Sequence, residues 1–258
     1  MSTPLIEYAR AGRPLDDVPV FDAHAHVGGM TGLDAPPLEQ QVAEMDRLGI
    51  DLAAVSATTA LAGDMVRGND EVADAIRRFP DRLVGYCHVS GNYPELMESE
   101  LARCFAIEGF RGLKFYQVGC PYDSDRFAPA WEFARQRGLP ILAHTWGGEM
   151  TGLPEAAGKN PDVTFLAAHT GSAFAYRPYV EAAGQHPNLW LDLTYSREHT
   201  NMIEHIVESV GADRIIWGTD APCFSMSHQL SKILFARIPD ADKRKIIHDN
   251  AARLFDLP

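Results

Sequence analysis

Five side chains carry the chemistry open to this sequence: two histidines spaced i, i+2 in Val20-Phe21-Asp22-Ala23-His24-Ala25-His26-Val27, then His144, His169 and Asp220. The first stretch reads as a short buried strand, in which residues two apart point to the same face. His24 and His26 then present two imidazoles side by side at the strand's carboxyl end, where a divalent metal takes both as nitrogen ligands. Taken alone, the pair reads equally well as two histidines on a solvated strand face. The choice rests on what the other elements bring to the same place.

Those elements alternate. Short β-rich runs at 18–27, 51–57, 82–89, 110–117, 139–145, 163–170, 189–195 and 214–219 are separated by amphipathic stretches at the interval of βα units. Leu38, Val42, Met45 and Leu48 fall at helical spacing before Gly49, so a helix is expected over 38–48; a final helical region is expected over 229–255. With 258 residues, 46% of them hydrophobic, the chain can bury one large core. The expected fold is a single α/β domain, a (β/α)8 TIM barrel, regular or distorted, over residues 18–258, with residues 1–17 as an N-terminal extension.

In such a barrel the site lies at the carboxyl ends of the strands. His24 and His26 end the first run, His88 the third, His144 the fifth, His169 the sixth and Asp220 the eighth. The other histidines, His186, His199, His205, His228 and His248, fall in helices or loops and read as solvated or capping. The net charge is −12 with no cluster of Lys or Arg, which argues against nucleic acid or an anionic membrane surface as a partner. No apolar run approaches the roughly 20 residues of a membrane span. The four cysteines stand apart without a Cys-x-x-Cys pair, and the first residues lack a basic-then-apolar leader, so reduced thiols in a cytoplasmic protein are expected.

A His-x-His on strand one, a His on strands five and six and an Asp on strand eight resemble the pattern of the amidohydrolase superfamily. Asp22-Ala23-His24-Ala25-His26, Gly109-Phe110-Arg111-Gly112-Leu113-Lys114, Trp217-Gly218-Thr219-Asp220-Ala221-Pro222 and His248-Asp249-Asn250-Ala251-Ala252-Arg253-Leu254-Phe255 look like the amidohydrolase-related branch. That branch also contains the aminocarboxymuconate-semialdehyde decarboxylase type. On this resemblance His24, His26, His144 and Asp220 would hold one divalent metal. Zinc suits the donors first, and manganese, iron or cobalt accept the same set. The resemblance gives Asp220 a second task, to take a proton from a metal-activated water and pass it on. His169 would polarise the substrate carbonyl or serve as a further ligand.

Lys114 has three readings: a carbamate bridging two metals, a cation for a substrate carboxylate, or an amine paired with a neighbouring acid. A single metal is expected, since the branch resembled is mostly mononuclear. Loops would line the pocket with Met30, Leu33, Trp146 and Tyr195 and with the cations Arg177 and Arg197, while His88 and Tyr116 reach it from strands three and four. Such a lining suits a small, partly apolar organic acid, lactone or amide. The first expectation for the activity is hydrolysis of a C–O or C–N bond at a carbonyl carbon. The alternative is non-oxidative decarboxylation of an unsaturated or aromatic acid at the same metal. Decarboxylating relatives tend to follow the strand-six His with Gly-Gly, whereas His169 precedes Thr170-Gly171-Ser172, which leans toward hydrolysis. A barrel that only senses a ligand is disfavoured, because structural zinc sites close with cysteine and no cysteine here lies in a ligand motif. A homodimer is suggested by analogy with the branch alone.

Overall fold

The computed structural model describes residues 3–29, 36–116, 119–195 and 200–257. Eight parallel strands pair in sequence order: β1 (Phe21–Val27), β2 (Leu52–Ala57), β3 (Leu83–Val89), β4 (Phe110–Phe115), β5 (Ile141–Ala143), β6 (Phe165–Ala167), β7 (Leu189–Asp192) and β8 (Ile215–Ile216). Helices α1 (Leu5–Ala11), α2 (Leu38–Leu48), α3 (Thr58–Leu61), α4 (Met65–Arg78), α5 (Pro94–Phe105) and α6 (Ala128–Arg137) cover the first half. They are followed by α7 (Leu153–Lys159), α8 (Arg177–Gln185), α9 (Met202–Val210), α10 (Met226–Phe235), α11 (Asp240–Arg244) and α12 (Asn250–Leu254). Each crossover returns the chain to a parallel neighbour, the arrangement of a TIM barrel.

The expected helix over 38–48 is present with those bounds, stopped by Gly49 in the left-handed conformation (φ 75°). The single final helix is not. Pro239 precedes α11, and a π turn over Lys245–Asp249 joins α11 to α12, so the region divides into three pieces. Strands β5, β6 and β8 are also shorter than their apolar runs. Beyond them the chain still bonds its neighbours, His144 N–H to Phe115 O at 2.9 Å and Thr170 N–H to Asp192 O at 2.9 Å, but turns away from regular pairing to aim its polar side chains.

One seam remains, between β8 and β1. It is bridged by Ala23 N–H to Trp217 O (3.0 Å), Asp220 N–H to His24 O (2.7 Å) and His26 N–H to Ala221 O (2.6 Å). Asp22 reinforces it, accepting from Thr219 N–H at 2.9 Å and from the Thr219 hydroxyl. The approach is close enough to require a glycine: a Cβ on Gly218 would stand 2.5 Å from His24 Cβ.

The barrel interior below the polar end is filled by Phe21, Ala54, Tyr86, Leu142, Leu166 and Ile216, with Phe255 as a plug whose ring lies 5.1 Å from Phe21 and 5.5 Å from Tyr86. Tyr86 donates its hydroxyl to Ala23 O at 2.8 Å, which satisfies the one polar atom this aromatic brings inside. Leu5 and Tyr8 of α1 are buried in the layer between strands and helices. Among the described residues no helix is long and apolar enough to cross a membrane.

Candidate active site

The barrel's carboxyl end gathers a buried group of imidazoles and carboxylates. Ligand atoms of His24, His169 and Asp220 all lie within 4.8 Å of one another. His26 joins through Asp220, its Nε2 standing 2.8 Å from Asp220 Oδ1, and His24 Nε2 stands 3.6 Å from the same oxygen. The i, i+2 spacing thus turns both rings to one carboxylate. His144 joins through His169, with Nδ1 3.1 Å from His169 Nε2. His169 and Asp220 both take positive φ, 60° and 58°, where the chain bends sharply off the sheet. Such backbone costs about 1–3 kcal/mol per residue and concentrates at functional sites.

The surroundings choose which ring nitrogens face inward. Asp192 Oδ2 accepts from His24 Nδ1 at 2.7 Å, which places the proton on Nδ1 and leaves the lone pair on Nε2. His26 Nδ1 meets Ser56 Oγ at 2.9 Å, and its Nε2 turns to Asp220. Asp192 is held by Thr194 N–H at 2.9 Å and by the Thr194 hydroxyl, both on Oδ1. Asp192 and Ser56 were missed by sequence reasoning. Asp192 left a signal of the same kind as the histidines, a polar residue ending the apolar run Leu189-Trp190-Leu191; Ser56 left none.

Burial sets the charges. It lowers the pKa of His24 well below the ordinary value, with the charge of Lys114 adding to the effect. It takes His144 down to about 2, with His169 and Lys114 adding, and His169 down to about 3 against the pull of Asp220. These rings are neutral near pH 7, the form that binds metal. Burial works against ionisation of Asp220, but the hydrogen bond from His26 and the surrounding imidazoles outweigh it and hold this carboxyl well below the usual range. Burial pushes Asp22 up to about 7 against hydrogen bonds from Thr219 and the His24 backbone.

Lys114 is fully buried and brought down to about 8, again by burial, with Asp220 and Asp192 opposing. Its Nζ lies 3.0 Å from His24 Nε2 and makes no ion pair among the described residues, so the contact is to an imidazole rather than to an acid. Tyr116 packs its ring on His144 at 4.6 Å. Trp146, Tyr195 and Phe224 stack in series at 5.1 Å and 4.0 Å, and Trp146 lies 5.9 Å from His169. His88 stands one strand away, paired in register with Lys114. Arg177 is not brought to the centre. It is exposed, lies over the Tyr176 ring at 5.4 Å and lines an outer cleft with Phe174 and Thr200. His205, expected in solvent or at a cap, is half-buried with its ring edge-on to Tyr176. Met30, Leu33, Arg197 and His199 lie outside the described residues.

Comparison with known proteins gives this geometry a context. The sequence model of the family described as amidohydrolase matches residues 21–257. A γ-resorcylate decarboxylase from a Polaromonas species is 25% identical, the alignment covering 85% of this chain and 87% of that protein. Among solved structures, a 5-carboxyvanillate decarboxylase from Novosphingobium aromaticivorans complexed with manganese and 4-hydroxy-3-methoxy-5-nitrobenzoic acid superposes with TM-score 0.76. It is 17% identical, over 95% of this chain and 99% of that one. A dihydroxybenzoic acid decarboxylase from Polaromonas with bound manganese and the inhibitor 2-nitroresorcinol superposes with TM-score 0.74. It is 20% identical, over 93% of this chain and 97% of that one.

At these identities the solved structures speak for the fold. The named relatives correct the expected activity: they are decarboxylases of aromatic acids, and the hydrolytic expectation falls with the inference drawn from Thr170-Gly171-Ser172. The physical reason is that both reactions use one donor set, so the ligand pattern carried no vote between them. The preference for zinc likewise finds no specific support, since the metal named in the related structures is manganese.

Proposed function

This chain belongs to the amidohydrolase family, and from that premise we propose that it is a metal-dependent, non-oxidative decarboxylase of an aromatic carboxylic acid. The observation that carries the reading is the likeness to a γ-resorcylate decarboxylase along 85% of the chain, joined to a buried imidazole cluster around an ionised carboxylate.

The donor set fits a divalent ion. The His24 and His26 rings are each tied at Nδ1, to Asp192 and Ser56, and direct Nε2 toward Asp220. His24, His26 and Asp220 would hold the ion, with one imidazole of the His144–His169 pair completing the set. A divalent ion held there, manganese or zinc, would act as a Lewis acid toward oxygens of the substrate and fix the acid in place. The residues do the rest. Decarboxylation puts a proton on the ring carbon, breaks the C–C bond and returns that bond's electron pair to the ring as CO2 leaves. Asp220 is the proton donor in this reading: an anionic substrate beside it raises its pKa and lets it carry the proton it hands over. Lys114 offsets the charge of the substrate carboxylate. The Trp146–Tyr195–Phe224 stack offers a flat wall to an aromatic ring.

The test is CO2 release and product formation from 2,6-dihydroxybenzoate and a panel of hydroxybenzoates, with protein loaded in turn with manganese, zinc, iron and cobalt. Turnover is expected with at least one acid, and Asp220→Asn is expected to lose about 10²–10⁴-fold in kcat while keeping its fold. No turnover under any loading, or an Asp220→Asn variant within about tenfold of the parent, overturns the reading.

A further inference from the structure

Beside the reacting centre, the carboxyl ends of β2, β3 and β4 enclose a second cleft of about 160 Å³, lined among others by Ala60, Ala62, His88, Tyr93 and Tyr116. His88 is 3% exposed, and its Nδ1 is buried with no hydrogen-bond partner. Such atoms are rare in folded proteins and point to a missing ligand or water. Two other buried side-chain nitrogens share the condition among the described residues, on Trp131 and His205, but these belong to α6 and α9 in the outer layer. His88 alone of the three stands at the carboxyl end of a barrel strand.

The backbone that carries the ring is also held in place. Asn69 of α4 accepts from His88 N–H at 2.8 Å and donates to His88 O at 2.9 Å, and the same amide nitrogen donates to Glu100 at 2.8 Å. All three residues are buried, so a polar network in the helix layer fixes the end of β3. Burial, with the charge of Lys114 adding, takes the His88 pKa down to about 3 against a hydrogen bond to the Lys114 backbone, so the ring is neutral, with one nitrogen bonded there and Nδ1 left to accept. A neutral imidazole matches a hydroxyl. Tyr116 lines the cleft on one side and packs on His144 on the other, so the cleft adjoins the metal-ligand cluster.

We infer that this cleft is the subsite for a second hydrogen-bonding substituent of the aromatic acid, a ring hydroxyl remote from the carboxylate that is lost, and that His88 reads it. The inference rests on the decarboxylase reading for its substrate class and extends it to a specificity-determining residue.

The experiment compares metal-loaded wild type, His88→Phe and Ala62→Leu, the last adding bulk to the cleft at an exposed lining residue while leaving His88 unchanged. Two ratios are measured: kcat/KM for 2,4-dihydroxybenzoate over 2-hydroxybenzoate, and the Kd ratio of phenol to resorcinol by calorimetry, which needs no turnover. Wild type is expected to prefer the second hydroxyl by about tenfold, the effect of one buried hydrogen bond, through KM rather than kcat. His88→Phe and Ala62→Leu should each bring both ratios to below about twofold. Unchanged ratios in a His88→Phe protein with a native melting curve overturn the assignment, as does failure of wild type to bind either phenol. Should His88→Phe not fold, the ratios of Ala62→Leu decide by the same criterion. The two readings fail separately: absent turnover with a His88-dependent resorcinol preference removes the decarboxylase and keeps the subsite, and turnover with His88-independent ratios does the reverse.

Discussion

Replacing Asp192 by Asn should disable metal binding while sparing the fold, and the hydrogen bonds say why. Asp192 Oδ2 accepts from His24 Nδ1 at 2.7 Å, while Oδ1 accepts both the N–H and the hydroxyl of Thr194. An Asn has one acceptor oxygen. Two donors face it from Thr194 and one from His24, so the carbonyl turns to Thr194 and the NH2 to His24. The imidazole then moves its proton to Nε2, the nitrogen that faces Asp220. His24 keeps its partners, but buried Lys114, whose Nζ lies 3.0 Å from Nε2, loses its acceptor, so the metal-free protein should lose about 1–3 kcal/mol. The ligand lone pair, however, is gone from the inward face. Loss of such an orienting carboxylate costs about 10–100-fold in metal affinity, or about 1.4–2.7 kcal/mol. Asp192→Ala leaves the buried donors bare and should lose stability as well, about 2–5 kcal/mol. The assay is chelator competition for the metal constant beside urea melts of the metal-free proteins. An Asp192→Asn protein whose metal constant stays within about twofold of the parent would refute the tautomer argument.

Three further outcomes follow from particular contacts. Lys114→Met frees the His24 Nε2 lone pair from the ammonium 3.0 Å away, so metal should bind about 10–100-fold tighter, the effect of one charged hydrogen bond; weaker binding by calorimetry would instead make Lys114 part of the metal site. Gly218→Ala forces a Cβ to within 2.5 Å of His24 Cβ and 2.7 Å of Thr194 Oγ1, and its melting temperature should fall by about 3–10 °C; an unchanged melt would mean that the seam yields. The His88 pKa drops from 6.5 to about 3 on folding, so its contribution to stability is complete above pH 6.5 and is lost as the pH falls toward 3. The slope is about 1.4 kcal/mol per pH unit per proton, and urea midpoints of His88→Phe between pH 6.5 and 4 should show a slope one proton shallower than the parent's.

The linear pattern determined a good deal by itself. The alternation of β-rich and amphipathic runs specified eight βα units, because a parallel strand buried on both faces must be apolar and its crossover helix must carry one apolar stripe. The i, i+2 spacing put His24 and His26 on one face, and the helix over 38–48 could be read to its ends, since Gly49 supplies a left-handed stop. What the tertiary structure decided is everything that depends on closure. His24 meets Asp192 across 168 positions of chain and Asp220 across 196, and no local pattern encodes which carboxylate takes Nδ1 and which faces Nε2. The same holds for Lys114 against His24, for His169 rather than His144 grouping with His24 and Asp220, and for Arg177 falling outside the centre. The choice of reaction lay beyond the ligand residues altogether. A metal-ligand set is selected by the chemistry of the ion, whereas the fate of the substrate is set by the shape and hydrogen-bonding groups of the surrounding cleft, which exist only once the barrel has closed.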